Sequence, residues 1–255
     1  MEQMIDFGPI KHLRQAGIRP GAATWEAILA LGPAAIPPLL ELALDLELLL
    51  GKASAAYAPL HALRLLGQLP AGAEAERLLR PTIPEGDPAT DAAFLWDKDR
   101  SQIVGSWGAA ALPGIQAVID DHAAPVAQRS QAVEALSFAA EADPAARSAV
   151  ITVLRSLLLG ESDPGVIGFV VQALADLNVT AAYADVMAAF RRGAVDKTVI
   201  SASDARQQLL GDQDPSKLHC VHHTLAERYE QHGPFTEEQQ RRLAELYRQQ
   251  AGRLS

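Results

Sequence analysis

Residues 143–193 read DPAARSAVITVLRSLLLGESDPGVIGFVVQALADLNVTAAYADVMAAFRRG, and the spacing of Asp-Pro pairs, glycines and apolar residues in them decides the fold. Asp143 is placed to cap a helix with Pro144 at its first position, and Gly160 to stop it. Val150, Val153, Leu154, Leu157 and Leu158 fall at i, i+3, i+4, i+7 and i+8, one apolar stripe. Asp163 and Pro164 repeat the start, and the next stripe is Ile167, Val170, Val171 and Leu174. A third helix is expected from near Thr180 to Gly193, burying Tyr183, Val186, Met187 and Phe190. The short links between these segments imply antiparallel neighbours. We therefore expect four helices over 126–193, with Leu154, Val171, Leu174 and Met187 buried between consecutive pairs.

Working outward, an Ala-Leu pair recurs in PLHALRLLGQL (59–69), SQAVEALSFAA (130–140) and FVVQALADLNV (169–179). The pairs Ala62-Leu63, Ala135-Leu136 and Ala173-Leu174 stand 73 and 38 residues apart, two units and one unit of a single period. Second helices of such units are expected at 33–46, 73–80 and 110–121, and a first helix at 91–108. The Pro-, Gly- and acid-rich stretch 69–91 reads as a surface loop around Pro81 to Pro88. After Gly193 the rhythm weakens. Ser201 or Ser203 is placed to cap a short helix, Asp214-Pro215 to start another, and Thr236, with help from Glu238, a last one.

The expected fold is thus all-α, an α-solenoid of antiparallel helix pairs over residues 1–196 with a helical C-terminal cap at 197–255. Composition agrees. Apolar residues make up 49% of the chain and aromatics 5%, so Ala and Leu carry a core of closely packed helices. β-branched residues form no long alternating run, which argues against a sheet.

The net charge is −9. Residues 1–216 hold 16 Lys/Arg against 26 Asp/Glu, whereas 217–255 hold 6 against 5. An acidic body repels phosphate backbones, so no nucleic-acid partner is expected. The most apolar segment, IPPLLELALDLELLLG, carries Glu41, Asp45 and Glu47, so no membrane partner is expected either. A single cysteine and the lack of a secretory pattern in MEQMIDFGPI fit a cytoplasmic location.

The repeats resemble known ones. In DDHAAPVAQRSQAVEAL (120–136), Asp121, Arg129, Ala132, Ala135 and Leu136 stand where the HEAT repeat has its acidic residue, arginine and Ala-Leu pair. DPGVIGFVVQALADL (163–177) resembles it too, with Gly168 in the arginine's place. Over residues 20–210, PLHALRLLGQL, RSQAVEAL and FRRGAVDKTVISASDARQQLL are similar to a bacterial family of helical-repeat proteins classed as a domain of unknown function. Some members of that family end in a zinc motif of the form CPCGSGKKxxxC, which this chain lacks. The resemblance implies the solenoid fold and transfers no catalytic residue.

Two stretches are dense in chemistry. KLHCVHHTLAERY (217–229) holds three histidines and the cysteine. On a helix at about 100° per residue, Leu218, Val221, Leu225 and Tyr229 form the buried stripe, with His219, Cys220, His223 and Glu227 on the other side. His219 and His223 form an i, i+4 pair. A metal site needs three or four converging ligands, and His232 is expected about 13 Å further along the axis at about 1.5 Å per residue. We expect a polar helix face here, with no metal and no cofactor. In FLWDKDRSQIVGSWG, Trp96, Arg100 and Trp107 share one helix face. They either plug a small-residue core, Arg100 pairing with a nearby Asp, or anchor a partner, and they are the candidate partner-binding residues. Arg129 is expected to brace Asp121 or another repeat. No catalytic residue is assigned.

The functional expectation is a non-catalytic scaffold that holds a protein or peptide along the concave face of the solenoid. HEAT-like arrays also include enzymes, bilin lyases and DNA glycosylases among them. The acidic charge argues against the glycosylase; a lyase type and a metal-responsive regulator using His219 and His223 remain as alternatives.

Overall fold

The structure, a computed structural model, describes residues 7–83, 91–211, 223–236, 238–239 and 241–242. Among them it is all-helical, with no strand. The α-helices are α1 (Gly8–His12), α2 (Ala22–Leu29), α3 (Ile36–Ala43), α4 (Leu46–Leu49), α5 (Ala58–Leu66), α6 (Ala75–Leu79), α7 (Asp91–Gly105), α8 (Leu112–Asp120), α9 (Val126–Ala142), α10 (Arg147–Gly160), α11 (Pro164–Asp176), α12 (Tyr183–Arg191), α13 (Ala202–Leu210) and α14 (Leu225–Gln231). Short 3₁₀ turns lead into α3, α5, α6, α8 and α12. No single helix among the described residues is long and apolar enough to cross a membrane.

The chain divides into two compact units, residues 1–69, 85–97 and 223–255, and residues 70–84 and 98–222. The stretch 197–255, expected as one cap, contributes α13 to the second unit and α14 to the first.

In the first unit every residue of α5 is buried, including His61 and Arg64. It packs against α3 and α4, with Leu60, Leu63 and Leu66 of α5 and Leu39, Leu40 and Ala43 of α3 buried. The opening turns of α7 belong here: Trp96 is fully buried and its Nε1 donates to the Ala43 carbonyl at 3.0 Å.

In the second unit α9 lies at the centre, packed against α8, α10 and α11, and α11 in turn packs against α13. Ala135, Leu136, Ala173, Leu174, Leu154 and Val171 are all buried, as the repeat pattern implies. Asp163 caps α11 by accepting from the Gly165 and Val166 amides, and Ser201 caps α13 by accepting from the Asp204 amide. Asp143 does not start α10. It holds a turn through the Ala145 amide, and the helix begins at Arg147. Gly105 lets α7 meet α9 at close range, since a Cβ there would stand 2.3 Å from Phe138 Cβ and 2.7 Å from the Ala135 carbonyl oxygen.

The last carbonyls of a helix have no partner within it, and arginines and a glutamine from neighbouring helices supply one. Arg100 of α7 reaches back to the carbonyls of Leu78 and Pro81 at the end of α6, and Gln128 of α9 to that of Arg80. Arg129 of α9 donates through Nε to Ile119 at the end of α8, 3.0 Å away. Arg147, at the start of α10, donates to Leu177 at the end of α11. The arginines among these meet the negative ends of helix dipoles as well as orphan acceptors.

Candidate functional site

The residues expected to bind a partner do not share a surface. Trp96 is 0% and Arg100 1% exposed, and they belong to different units. Arg100 is held by the two carbonyls already named and by the Gln131 side chain. Trp107 is half-buried, and its Nε1 has no acceptor among the described residues.

His219, Cys220 and His222 lie outside the described residues; His223 lies inside them. The helix does not run through it. Thr224 has an extended conformation and caps α14, its hydroxyl accepting from the Glu227 amide while the Glu227 carboxylate accepts from the Thr224 amide at 2.8 Å. This reciprocal cap is the Thr-x-x-Glu signature, which HTLAE carries and which outweighs the longer apolar stripe. His223 therefore precedes the helix, its carbonyl accepting from Gln68 Nε2 at 3.3 Å. Its ring stands edge-on to that of His232, centroid to centroid 5.2 Å. The 13 Å separation expected along a continuous axis does not hold.

In the first unit, α14 brings Tyr229 onto His61, 168 residues away in sequence. His61 Nε2 lies 2.9 Å from the Gly17 carbonyl oxygen and Nδ1 2.6 Å from the Tyr229 hydroxyl. A carbonyl only accepts, so Nε2 carries the hydrogen, and in the neutral ring Nδ1 accepts from the Tyr229 hydroxyl. Tyr57 stacks beside it, Trp25 stacks on Tyr229, and the guanidinium of Arg64 lies 4.6 Å from the Tyr229 ring centroid. Burial, then the charge of Arg64, lower the His61 pKa from 6.5 to about 4, against an opposing contribution from the Gly17 hydrogen bond. The Tyr229–His61 hydrogen bond ties α14 to α5.

Arg129 pairs with Glu161, not Asp121; Arg80 takes Asp121. The Arg129 and Glu161 side chains are 4% and 2% exposed. Burial pushes the Glu161 carboxyl up. The Arg129 hydrogen bond and the amides of Asp163 and Ser162 outweigh it and hold the pKa at about 2.

Open grooves lie on α10 and α12. The first, about 540 Å³, is lined by Pro144, Arg147, Ser148, Ile151, Thr152, Arg155, Ser156 and Leu159, and Leu159 is 67% exposed. The second, about 570 Å³, runs from α12 to the start of α13 and is lined by Tyr183, Met187, Phe190, Arg191 and Lys197 with two alanines. The helices pack together, and Arg155 of the first groove donates to Asp185 of α12 at 3.3 Å. The apolar spacing of α12 predicts Tyr183, Met187 and Phe190 in the core. They are half-buried, and the buried stripe is Ala182, Val186 and Ala189. Both sets sit at i, i+4, i+7. The alanines let α12 approach its neighbours closely, which leaves the larger side chains at the flank. A small-residue stripe beside a bulky one was the signal for this. Comparison with protein-family models, with curated proteins and with solved structures finds no match to the chain.

Proposed function

We propose that the protein is a non-catalytic scaffold of HEAT-like α-solenoid type that holds a segment of another protein on the face formed by α10 and α12. Support for the solenoid comes from the second unit. There α6, α8, α10 and α12 alternate in sequence with α7, α9, α11 and α13, while α9 packs on α11, α11 on α13, and α10 on α12. The observation that carries the function is the pair of open grooves in which Ile151, Leu159, Met187 and Phe190 remain accessible beside polar rims. Apolar side chains in a concave, polar-edged setting gain free energy when a partner covers them.

The test is site-specific photo-crosslinking in the native host, with the crosslinker at Leu159 or Phe190 and, as control, at exposed Leu50. One partner is expected from 159 and 190 and none in common from 50. The purified partner should then lose binding to a Met187→Asp/Phe190→Asp variant. Identical products from all three positions, or binding unaffected by the double variant, would count against the reading.

A further inference from the structure

We infer that the groove on α12 is built for an acidic segment, one that inserts an apolar side chain between flanking carboxylates. This rests on the scaffold reading and names its partner class. Tyr183, Met187 and Phe190 make an apolar floor, and the charged groups that line the groove are Arg191 and Lys197, with no Asp or Glu. Both cations are exposed, and neither has a salt-bridge partner among the described residues. The nearest acid in sequence, Asp196, is turned into its own loop. Its carboxylate accepts from the Thr198 amide and hydroxyl, each at 2.8 Å. Asp185, on the same helix, is held by Arg155. The neighbouring groove on α10 is lined by Arg147 and Arg155, and the charge of Arg155 is already met by Asp185.

A cationic, apolar-floored groove on a chain of net charge −9 is a local inversion of sign. Such complementarity selects the charge of the partner and speeds its encounter. It favours a short acidic peptide over a nucleic acid for two reasons. The floor is made of aliphatic, thioether and aromatic side chains that a phosphate backbone does not use. A long polyanion, unlike a short peptide, also has to approach a chain whose net charge of −9 repels it.

The experiment is fluorescence anisotropy with a labelled synthetic peptide in which glutamates flank a Phe-Leu pair, against the same peptide with each Glu replaced by Gln. The acidic peptide should bind at least about tenfold more tightly, and its affinity should fall as salt rises. Arg191→Glu/Lys197→Glu, at exposed positions, should weaken it about tenfold or more while the melting temperature stays unchanged. Equal affinity for both peptides, lost for both in Met187→Asp/Phe190→Asp, would overturn the acidic preference and leave the scaffold reading in place. Binding of neither peptide would overturn the inference alone, since crosslinking decides the scaffold independently. An oligonucleotide that displaces the peptide through the same two cations, or salt-sensitive self-association of the chain abolished by their reversal, would overturn the peptide class.

Discussion

His61 makes the protein's stability sensitive to mild acid, in a window set by one ring. In its neutral form Nε2 donates to the Gly17 carbonyl and Nδ1 accepts from the Tyr229 hydroxyl. Protonation puts a hydrogen on Nδ1, where Tyr229 now donates, and a charge beside Arg64 in a buried place. The folded-state pKa of about 4 lies below the ordinary 6.5. Between those values the unfolded chain therefore binds more protons, and stability falls as pH falls. The contribution is complete above about pH 6.5 and gone near pH 4. The gap at about 1.4 kcal/mol per pH unit amounts to about 3 kcal/mol, most of it lost by about pH 4.5. The perturbation is His61→Gln, which keeps one donor and one acceptor and does not titrate. Urea unfolding followed by circular dichroism from pH 7.5 to 4.5 gives the stability of each protein, and carboxylates cancel in the difference. That difference should shrink in favour of the variant by over about 2 kcal/mol across the range. A difference constant to within about 0.5 kcal/mol would show that His61 is not held neutral, and the reasoning from its two hydrogen bonds would fail.

Arg129→Ala should cost about 3–5 kcal/mol in chemical denaturation, because it strands the buried Glu161 carboxylate, and Arg129→Met/Glu161→Leu should recover much of that. The same carboxylate, held at about 2 against an ordinary 4.5, contributes stability above about pH 4.5 that is lost as pH falls toward 2; the Glu161→Gln variant should lack this acid limb. Gly105→Ala, which helix propensity alone favours by about 1 kcal/mol, should instead destabilise by about 1–3 kcal/mol, since the new Cβ overlaps Phe138; a raised melting temperature would refute the close approach of α7 and α9. Thr224→Ala should cost about 1 kcal/mol through loss of the cap on α14, read in the same urea titrations.

Local signals proved legible where one helix carries them whole. The Asp163-Pro164 start, the stop at Gly160 and the burial of Ala135-Leu136 and Ala173-Leu174 all follow from short-range chemistry. Thr236 shows the limit of that: its cap is closed by Gln239, whose side chain accepts from the Thr236 amide at 2.9 Å, and not by Glu238. One residue of register separates the two, and carboxylate and amide serve equally. What local pattern did not reveal is what depends on distant partners. His61 sits in an Ala-Leu helix whose periodicity says only that its position is interior; its meaning comes from Gly17 and Tyr229. Arg100 looked like an anchor for a partner because its acceptors are backbone carbonyls, and these carry no signature in a sequence. On α12, size favoured Tyr183, Met187 and Phe190 for the core, while packing distance favoured Ala182 and Ala189.

The arginines that close helix ends carry an implication for how the second unit comes apart. Ile119 at the end of α8 relies on Arg129, which lies one helix further on, and the end of α6 relies on Arg100 and Gln128 in the same forward sense. The ends of α6 and α8 are thus incomplete until their successors have docked, whereas the end of α11 is closed from α10, which precedes it. A chain cut between Asp121 and Pro125 would leave the Ile119 and Arg80 carbonyls to fray into water, although every apolar contact within α6 and α8 survived. Unfolding should then spread as a cooperative front across several pairs, and amide exchange at the ends of α6 and α8 should keep pace with that of α9.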